Sequence, residues 1–269
     1  MKKFSHYILS VLDSLFARKF FYKINLIFLK LFIRFLGFNN HKDMKSSGEE
    51  CFLDILCKKN IKFCLDIGAN KGDYSRYLLN NSNTKVIAFE PLPFLKKDLL
   101  KLQNKFKERF VFFNFGLGNV KKNDFIYYDK KNLQWANFNS EVNKIDYLKN
   151  NKKKIKLKIE KLDDVLKKNR KLFSKKINLI KIDTEGYELE VLQGSKNVIK
   201  KLKPDYIQIE YNWHHLFKNV NLYYFSKVLK EYSAHKIMPH NQGLLKIDPQ
   251  KPENNYFNYS NIVFVRNKL

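Results

Sequence analysis

From about residue 49 onward, short apolar runs alternate along the chain with segments whose apolar residues recur every three or four positions. The short runs, such as "KFCLDIGAN" and "INLIKID", predict buried strands, and the other segments predict helices. Strands that alternate with helices are typical of an α/β fold, in which a mostly parallel sheet carries helices on both faces. The closing segments "HKIMPHNQGLLKID" and "NIVFVRN" are joined by a polar connection, and we expect them to pair antiparallel.

Several individual elements follow from the same pattern. Helices are predicted at "DYSRYLLNN", with Asp73 as its cap, at "FLKKDLLKLQNKF" and at "YELEVLQGSKNVIKKLK". The segments "DFIYYD" and "KIKLKIE" predict further strands, the second at an edge. Much of residues 131–160 has no clear period, so the sequence predicts little about its local structure.

Residues 4–38 differ from the rest, because "FFYKINLIFLKLFIRFLGF" is apolar around most of a helix. Lys19, Lys23, Lys30 and Arg34 would form one narrow stripe on such a helix, which is too short and too charged to cross a bilayer comfortably. The segment would either pack on the main domain or on a second copy in a homodimer, or lie in a membrane interface. The polar break "NNHKDMKSSGEE" predicts a boundary between a helical extension, 1–45, and a domain, 46–269.

The chain is strongly basic, with 52 Lys and Arg residues, 26 Asp and Glu residues and a net charge of +26. Such a charge raises nucleic acid and anionic membranes as partners. The lysines are scattered over the whole chain, which favours a general surface composition over a groove for nucleic acid. The three cysteines lack metal-ligand spacing, and no segment has the features of a cleavable signal peptide, so a cytoplasmic protein is expected.

Acids, amides and glycines collect where the predicted strands end. In chain order they are Asp66, Gly68, Asn70 and Gly72; Glu90 and Pro91; Asn114, Gly116 and Asn119; Asp183, Glu185 and Gly186; and Glu210, His214 and His215. Ligands of open parallel sheets bind beyond the carboxyl ends of the strands. The sequence therefore predicts one ligand site at this edge of the sheet.

The first of these turns, "DIGANKG", is similar to the glycine-rich turn of dinucleotide-binding proteins, but Asn70 replaces the glycine that lets backbone approach a diphosphate. Asp66 would repel a diphosphate and would suit a ligand with an amino group. Glu90 follows the second strand, where a carboxylate can accept hydrogen bonds from two ribose hydroxyls. An amino group, a ribose and a close approach at glycine describe S-adenosylmethionine better than a nicotinamide cofactor.

The motifs "LDIGANKGDYS", "VIAFEPLP", "GLGN" and above all "INLIKIDTEGYELEVLQGS" followed by "PDYIQIE" resemble the FkbM family of S-adenosylmethionine-dependent methyltransferases. The resemblance covers roughly residues 60–265 in the same order. It implies a class I methyltransferase-like, Rossmann-like sheet of seven mostly parallel strands with an antiparallel last strand. The residues that carry the pattern are Asp66, Gly68, Asn70, Gly72, Glu90, Pro91, Lys181, Asp183, Glu185, Gly186 and Glu188.

The resemblance also implies residue roles. The expected cofactor-binding residues are Asp66, Gly68, Asn70, Gly72, Tyr74, Glu90, Pro91 and Gly116. Asp183 is expected nearest the methyl group, as the base or as the residue that positions the acceptor, with Glu185 and His214 as further candidates. No metal site is predicted, although a pair of acids could hold a divalent cation that binds a diol.

The expected function is O-methylation, by S-adenosylmethionine, of a hydroxyl on a sugar of a bacterial surface glycan or on a related small molecule. Two alternatives stay open: methylation of RNA or other nucleic acid, and a non-catalytic protein that binds membrane surfaces. The fourth strand ends in "DTEG" and lacks an "NPPY"-type tetrapeptide for a flipped base, which disfavours nucleic acid. Peripheral contact of residues 4–38 with the inner membrane face would suit an acceptor carried on a lipid.

Overall fold

The computed structural model of the chain describes residues 2–173 and 176–268. The strands are β1 (Phe63–Ile67), β2 (Lys85–Phe89), β3 (Phe110–Phe113), β4 (Gly116–Leu117), β5 (Lys122–Tyr128), β6 (Lys153–Glu160), β7 (Leu179–Ile182), β8 (Tyr206–Tyr211), β9 (Tyr232–Met238), β10 (Gly243–Lys246) and β11 (Ser260–Arg266). The helices are α1 (Lys2–Phe16), α2 (Tyr22–Phe35), α3 (Met44–Ser47), α4 (Glu49–Lys58), α5 (Asp73–Asn81), α6 (Lys96–Phe106), α7 (Leu162–Lys168), α8 (Glu188–Gly194), α9 (Lys196–Leu202), α10 (His214–Phe217) and α11 (Leu222–Val228).

The main sheet has the strand order β10-β9-β11-β8-β7-β1-β2-β3. Strands β3, β2, β1, β7 and β8 are parallel, and β11 runs antiparallel to both of its neighbours, β8 and β9. The predicted α/β sheet with an antiparallel last strand is confirmed. Within the described ranges the sheet has eight strands instead of seven, because the chain turns after β9 and adds β10 at the edge as a hairpin.

The order of the strands creates a crevice at the end of β1. The chain passes from β1 to β2 and β3 on one side and later returns to β7 on the other side. All five residues of β1 are buried, since alternate side chains enter the apolar clusters on the two faces of the sheet. Leu65 and Ile67 pack on one face and Cys64 on the other. Ligands of such sheets bind at this reversal of strand order.

A second, three-stranded sheet with the order β4-β6-β5 lies beside the main sheet. Its apolar side packs on the segment after β2, where Ile126 and Tyr128 of β5 contact Leu92 and Leu95. Residues 129–152 connect β5 to β6 through short 3-10 turns, and Asn137 bridges back to Tyr127. The sequence pattern predicts the two longer strands of this sheet but not their pairing, which depends on contacts between distant segments.

Two local predictions are wrong. The segment after residue 187 forms two helices, α8 and α9, that meet at Ser195 instead of one helix. Gly194, at the end of α8, packs so closely on the chain that a Cβ atom there would lie 1.9 Å from the carbonyl oxygen of Gly118. The cap of α5 is Gly72, in the left-handed region, and Asp73 is the first helical residue.

The amino-terminal extension forms two helices, since residues 17–21 break the predicted single helix. Lys19 therefore lies in the 3-10 turn before α2 and not on α2 itself. Over the described ranges, no helix combines the length and the apolar character that crossing a bilayer requires. The domain boundary near residue 45 stays a prediction.

Candidate active site

The crevice at the strand ends opens into a cavity of about 870 Å³. Sites for small molecules have volumes of about 300–1,000 Å³. Eight of the predicted site residues line it, namely Gly68, Asn70, Tyr74, Glu90, Pro91, Gly116, Asp183 and Glu185. The other three, Asp66, Gly72 and His214, are buried behind the lining. The fold thus brings together residues that are up to 117 positions apart in the sequence, from Gly68 to Glu185.

The turn after β1 is held against the end of β7. Gly68 has a φ of +80°, and a Cβ atom on it would lie 1.7 Å from the carbonyl oxygen of Asp183. Only glycine fits this close backbone contact. Asn70 also has a positive φ, of 51°, and its amide donates to Oε2 of Glu90 at 2.8 Å. Gly68 is therefore required for the ends of β1 and β7 to meet, and both ends carry site residues.

Asp66 lies at the end of β1 and has protein partners for both carboxylate oxygens. Its Oδ2 accepts a hydrogen bond from the Ser75 hydroxyl at 2.6 Å, and its Oδ1 lies 3.5 Å from Nζ of Lys181. The direct contact of Asp66 with an amino group stays a prediction and would require it to exchange these partners. In the present arrangement it fixes α5 and Lys181 below the cavity.

Glu90 faces the cavity from the end of β2. Its two oxygens accept the amides of Asn70 and Leu92 at 2.8 and 2.9 Å. Burial raises the pKa of Glu90 to about 7, although these two amides and Lys181 act against the rise. Each carboxylate oxygen keeps a further lone pair for a ligand donor. Asn114, which follows β3, donates to the Glu90 carbonyl at 2.8 Å, whereas Gly116 and Leu117 line the cavity.

Lys181 is a buried cation in the floor of the cavity. Its Nζ lies 3.1 Å from Oδ2 of Asp183 and donates to the carbonyl of Gly68 at 3.3 Å. Burial alone would lower the pKa of Lys181, but the carboxylates of Asp183 and Asp66 outweigh it and raise the pKa above its ordinary value. The lysine therefore stays charged and holds the ends of β1 and β7 together.

Three carboxylates meet at the ends of β7 and β8. Asp183, Glu185 and Glu210 each offer one oxygen, and these oxygens all lie within 4.8 Å of one another. Burial raises the pKa of Glu185 well above its ordinary value, and repulsion from Asp183 raises it further. The pKa of Glu210 rises for the same reasons. A raised pKa makes a carboxylate a stronger proton acceptor than an ordinary one.

The same three oxygens are ligands of the kind that hard divalent cations prefer. Asn212 donates to Glu210 and lies 3.5 Å from Oε2 of Glu185, so an amide already bridges two of the acids. The sequence-based expectation that the site holds no metal ion stays a prediction.

The turn "DTEG" that carries two of the acids is fixed by buried side chains. Oε1 of Glu188 accepts the amides of Thr184 and Gly186 at 2.8 and 3.3 Å. Its Oε2 lies 3.0 Å from Nε2 of His215. Burial acts to raise the pKa of Glu188, but His215 and the Thr184 amide outweigh it and lower the pKa to about 2. Glu188 thus anchors the turn as a permanent anion.

His214 lies behind Glu185 instead of in the lining. It is completely buried, and its Nδ1 is 3.5 Å from Oε2 of Glu185. Burial lowers the pKa of His214, so the ring is neutral at physiological pH. In this place His214 can orient Glu185 but does not face the cavity, and its expected catalytic role stays a prediction.

Several residues of the lining were not predicted from the sequence. Glu49, in the first turn of α4, accepts a hydrogen bond from Nε2 of Gln208 at 2.8 Å, and burial raises its pKa. Trp135, Tyr147 and Trp213 contribute an aromatic side, in which the rings of Trp135 and Tyr147 lie 5.4 Å apart. The aromatic content of residues 131–160 was the available signal, but the missing periodicity left its place in the fold open.

The charges of the lining are divided between the floor and the rim of the cavity. The floor carries the acids at the strand ends, and the rim carries exposed lysines. The rim lysines are Lys42, Lys71, Lys130 and Lys131. The acidic floor suits a ligand with a positive charge or with hydroxyl donors, despite the net charge of +26 of the chain.

Two solved structures of methyltransferases are similar to this chain at low sequence identity. An rRNA methylase from Streptococcus thermophilus is 11% identical with a TM-score of 0.43, over 84% of this chain and 98% of that chain. A precorrin-6y C5,15-methyltransferase from Geobacter metallireducens is 12% identical with a TM-score of 0.40, over 80% of this chain and 87% of that chain. Structural similarities at this level carry no information about the molecule that accepts the methyl group.

No curated protein matches the chain significantly. The family model described as "Methyltransferase FkbM domain" matches residues 66–238, which is more than half of the chain. The matched range runs from Asp66, at the end of β1, to the end of β9, and it contains every strand end that lines the cavity. The chain therefore belongs to the FkbM methyltransferase family, and methyl transfer is its activity.

Proposed function

We propose that the protein transfers the methyl group of S-adenosylmethionine to a hydroxyl oxygen of a polyhydroxylated acceptor, such as a sugar. The observation that carries the proposal is the cluster of Asp183, Glu185 and Glu210 at the strand ends, across the cavity floor from Glu90. A hydroxyl must be held by hydrogen-bond acceptors and must lose its proton during methyl transfer. Clustered carboxylates can do both.

The residues at the first two strand ends fit the donor by their chemistry. Glu90 has free lone pairs for the two ribose hydroxyls, and the turn at Gly68 and Asn70 offers a path for the methionine part. Gly116 and Leu117 leave an apolar side for the adenine. When bound, S-adenosylmethionine supplies an electrophilic methyl group on a positively charged sulfur, which the acidic floor favours.

The acids at β7 and β8 divide the work on the acceptor. Asp183 is paired with Lys181 at 3.1 Å, so its carboxylate is fixed in place and can orient a hydroxyl. Glu185 takes the proton of that hydroxyl, because its raised pKa makes it a stronger base than an ordinary carboxylate. His214 positions Glu185 from behind at 3.5 Å.

The aromatic side favours a sugar over a smaller hydroxyl compound. Trp135, Tyr147 and Trp213 offer flat apolar faces in the same cavity as the acids, and binding sites for small molecules combine such faces with a few well-placed polar groups. A sugar ring presents both C–H faces and hydroxyl edges. The lining therefore matches the two kinds of surface that a sugar has.

The test is transfer of a labelled methyl group from S-adenosylmethionine to two fractions of cell material, the envelope carbohydrates and total RNA. The proposal expects label in the carbohydrate fraction, in a form that survives alkaline hydrolysis of esters. Loss of the label with Glu185→Gln, while calorimetric binding of the donor is kept, would support the assigned base. Label in RNA alone would refute the proposed acceptor.

A further inference from the structure

The two amino-terminal helices expose an extensive apolar surface. None of the described side chains of α1 or α2 is buried. Phe20, Ile27, Phe32 and Phe35 are typical, with 83%, 66%, 57% and 67% of their surface exposed. Soluble monomers rarely expose contiguous apolar patches of this kind unless the patch binds something.

The helices are connected to each other but only loosely to the domain. Asn25 donates to the carbonyl of Phe16 at 2.9 Å, and the rings of Phe16 and Phe21 lie 5.5 Å apart, so the elbow between α1 and α2 is defined. The domain is reached after α2 ends, where Lys236 donates to the carbonyl of Leu36 and Asn39 donates to the carbonyl of Tyr259. The apolar surface is thus held at one end and left uncovered along its length.

The charge of this region indicates what covers it. Residues 2–42 contain eight Lys or Arg residues and one acid, Asp13. On α2, Lys23, Lys30 and Arg34 are exposed and lie within about 40° of one another around the helix, at 100° per residue. An apolar helix with cations along one narrow stripe can insert its apolar part into the headgroup region while the long basic side chains reach lipid phosphates. The same helices of a second copy would offer these cations only one acid, Asp13.

The position of the helices relative to the cavity gives this surface a function. Asn39, His41, Lys42 and Met44 line the cavity, only a few residues after α2 ends at Phe35. Four extended residues span roughly 14 Å at most, so the cavity wall at Asn39 lies near the end of α2. Lys42, which follows α2 in the chain, is one of the exposed lysines that line the cavity, so positive charge extends from the helices to the rim.

We propose that α1 and α2 bind an anionic lipid bilayer, with their apolar side chains in the headgroup region and their basic side chains at the lipid phosphates. Binding in this way places the cavity next to the bilayer, where it meets an acceptor carried at the membrane surface. The statement about the acceptor rests on the proposed function, whereas the binding of the bilayer does not.

The experiment is flotation of the full chain with vesicles of phosphatidylcholine and phosphatidylglycerol, compared with vesicles of phosphatidylcholine alone. The protein should float with the anionic vesicles, and added salt should weaken the binding. The variant Lys23→Glu/Lys30→Glu/Arg34→Glu should lower partitioning to the anionic vesicles by about 100-fold, since each cation near the surface contributes about fivefold. The variant Phe28→Gln/Phe32→Gln/Phe35→Gln should abolish flotation with the anionic vesicles and any residual flotation with phosphatidylcholine alone.

Matched controls carry the same changes elsewhere on the surface. Lys96→Glu/Lys97→Glu/Lys201→Glu changes the net charge equally, and Leu100→Gln/Leu216→Gln/Leu245→Gln removes exposed apolar side chains of the domain. Both should float like the unchanged protein. Equal flotation of all variants, or no flotation of the unchanged protein, would overturn the proposal. A dimer without vesicles that the triple Phe variant dissociates would also overturn it, because a second copy would then cover the surface.

Calorimetric titration of each variant with S-adenosylmethionine separates this inference from the proposed function. Donor binding should be the same in all of them, because none of the changed residues lines the cavity. Protein that floats but does not bind the donor would refute the proposed function and leave the membrane surface standing. Protein that binds the donor but does not float would refute the membrane-binding surface and leave the proposed function standing.

Discussion

Replacing Glu90 by Gln tests the donor site with a change of one atom. The carboxylate accepts the amides of Asn70 and Leu92 at 2.8 and 2.9 Å, and we infer that it also accepts the ribose hydroxyls. Gln keeps the shape but replaces one acceptor oxygen by a donor and removes the charge. A hydrogen bond to a charged group contributes about 1.5–3 kcal/mol, so loss of one ribose bond should weaken S-adenosylmethionine by about 10- to 150-fold.

The same substitution should also change how the stability of the protein depends on pH. Burial raises the pKa of Glu90 from 4.5 to about 7. The folded protein therefore binds this proton more tightly than the unfolded chain, by about 3 kcal/mol. Stability from this group is present below pH 4.5 and is lost as the pH rises through 7. Glutamine cannot ionise. The unfolding free energy of Glu90→Gln should therefore fall less than that of the unchanged protein between pH 4.5 and pH 7.

The assays are calorimetric titration with S-adenosylmethionine and urea unfolding at several pH values without donor. Glu160→Gln is a matched control, since Glu160 is also buried but lies on β6 outside the cavity. It should leave the donor affinity unchanged. Unchanged affinity in Glu90→Gln, with the fold intact, would refute the assignment of Glu90 to the ribose. An unchanged pH dependence of unfolding would refute the raised pKa.

Three further substitutions test the remaining parts of the site. Gly68→Ala should lower the unfolding free energy by more than about 2 kcal/mol in urea, because its Cβ would meet the Asp183 carbonyl at 1.7 Å; Gly243→Ala, also at positive φ but with nothing within 4 Å, should cost clearly less. Glu185→Gln should lower kcat by about 100- to 10,000-fold and leave the affinity for the donor unchanged. An equal loss of kcat and of donor affinity would contradict its role as base. Lys181→Met should lower stability by about 3–5 kcal/mol in urea, since it leaves Asp66 buried without its cation; a neutral result would contradict the structural role of Lys181.

The sequence predicted the fold, and it predicted that these acids and glycines collect at one edge of the sheet, because both depend on local patterns. Apolar runs that end in acids and glycines predicted the strands that meet at the cavity, and the order of the family motifs matched the order of the strands. Glu90 and Asp183 could be placed at strand ends from the sequence alone, since each directly follows or ends a short apolar run.

The rest depends on contacts between segments that are far apart in the sequence. Asp66 has the sequence position of a ligand contact, yet its burial beside Lys181 and Ser75 follows only from the packing of β1 against β7 and α5. Trp135 reaches the cavity through a loop without regular periodicity. Gly72 suggested close approach to a ligand, but a Cβ there would lie 2.4 Å from Leu102, so the packing of α6 explains it.

A crystal structure of the protein with S-adenosylhomocysteine tests the central claim most directly. We predict that both ribose hydroxyls lie within hydrogen-bond distance of the Glu90 carboxylate and that the sulfur faces Asp183 and Glu185 across the cavity. A product molecule bound elsewhere, or one whose ribose turns away from Glu90, would contradict the account.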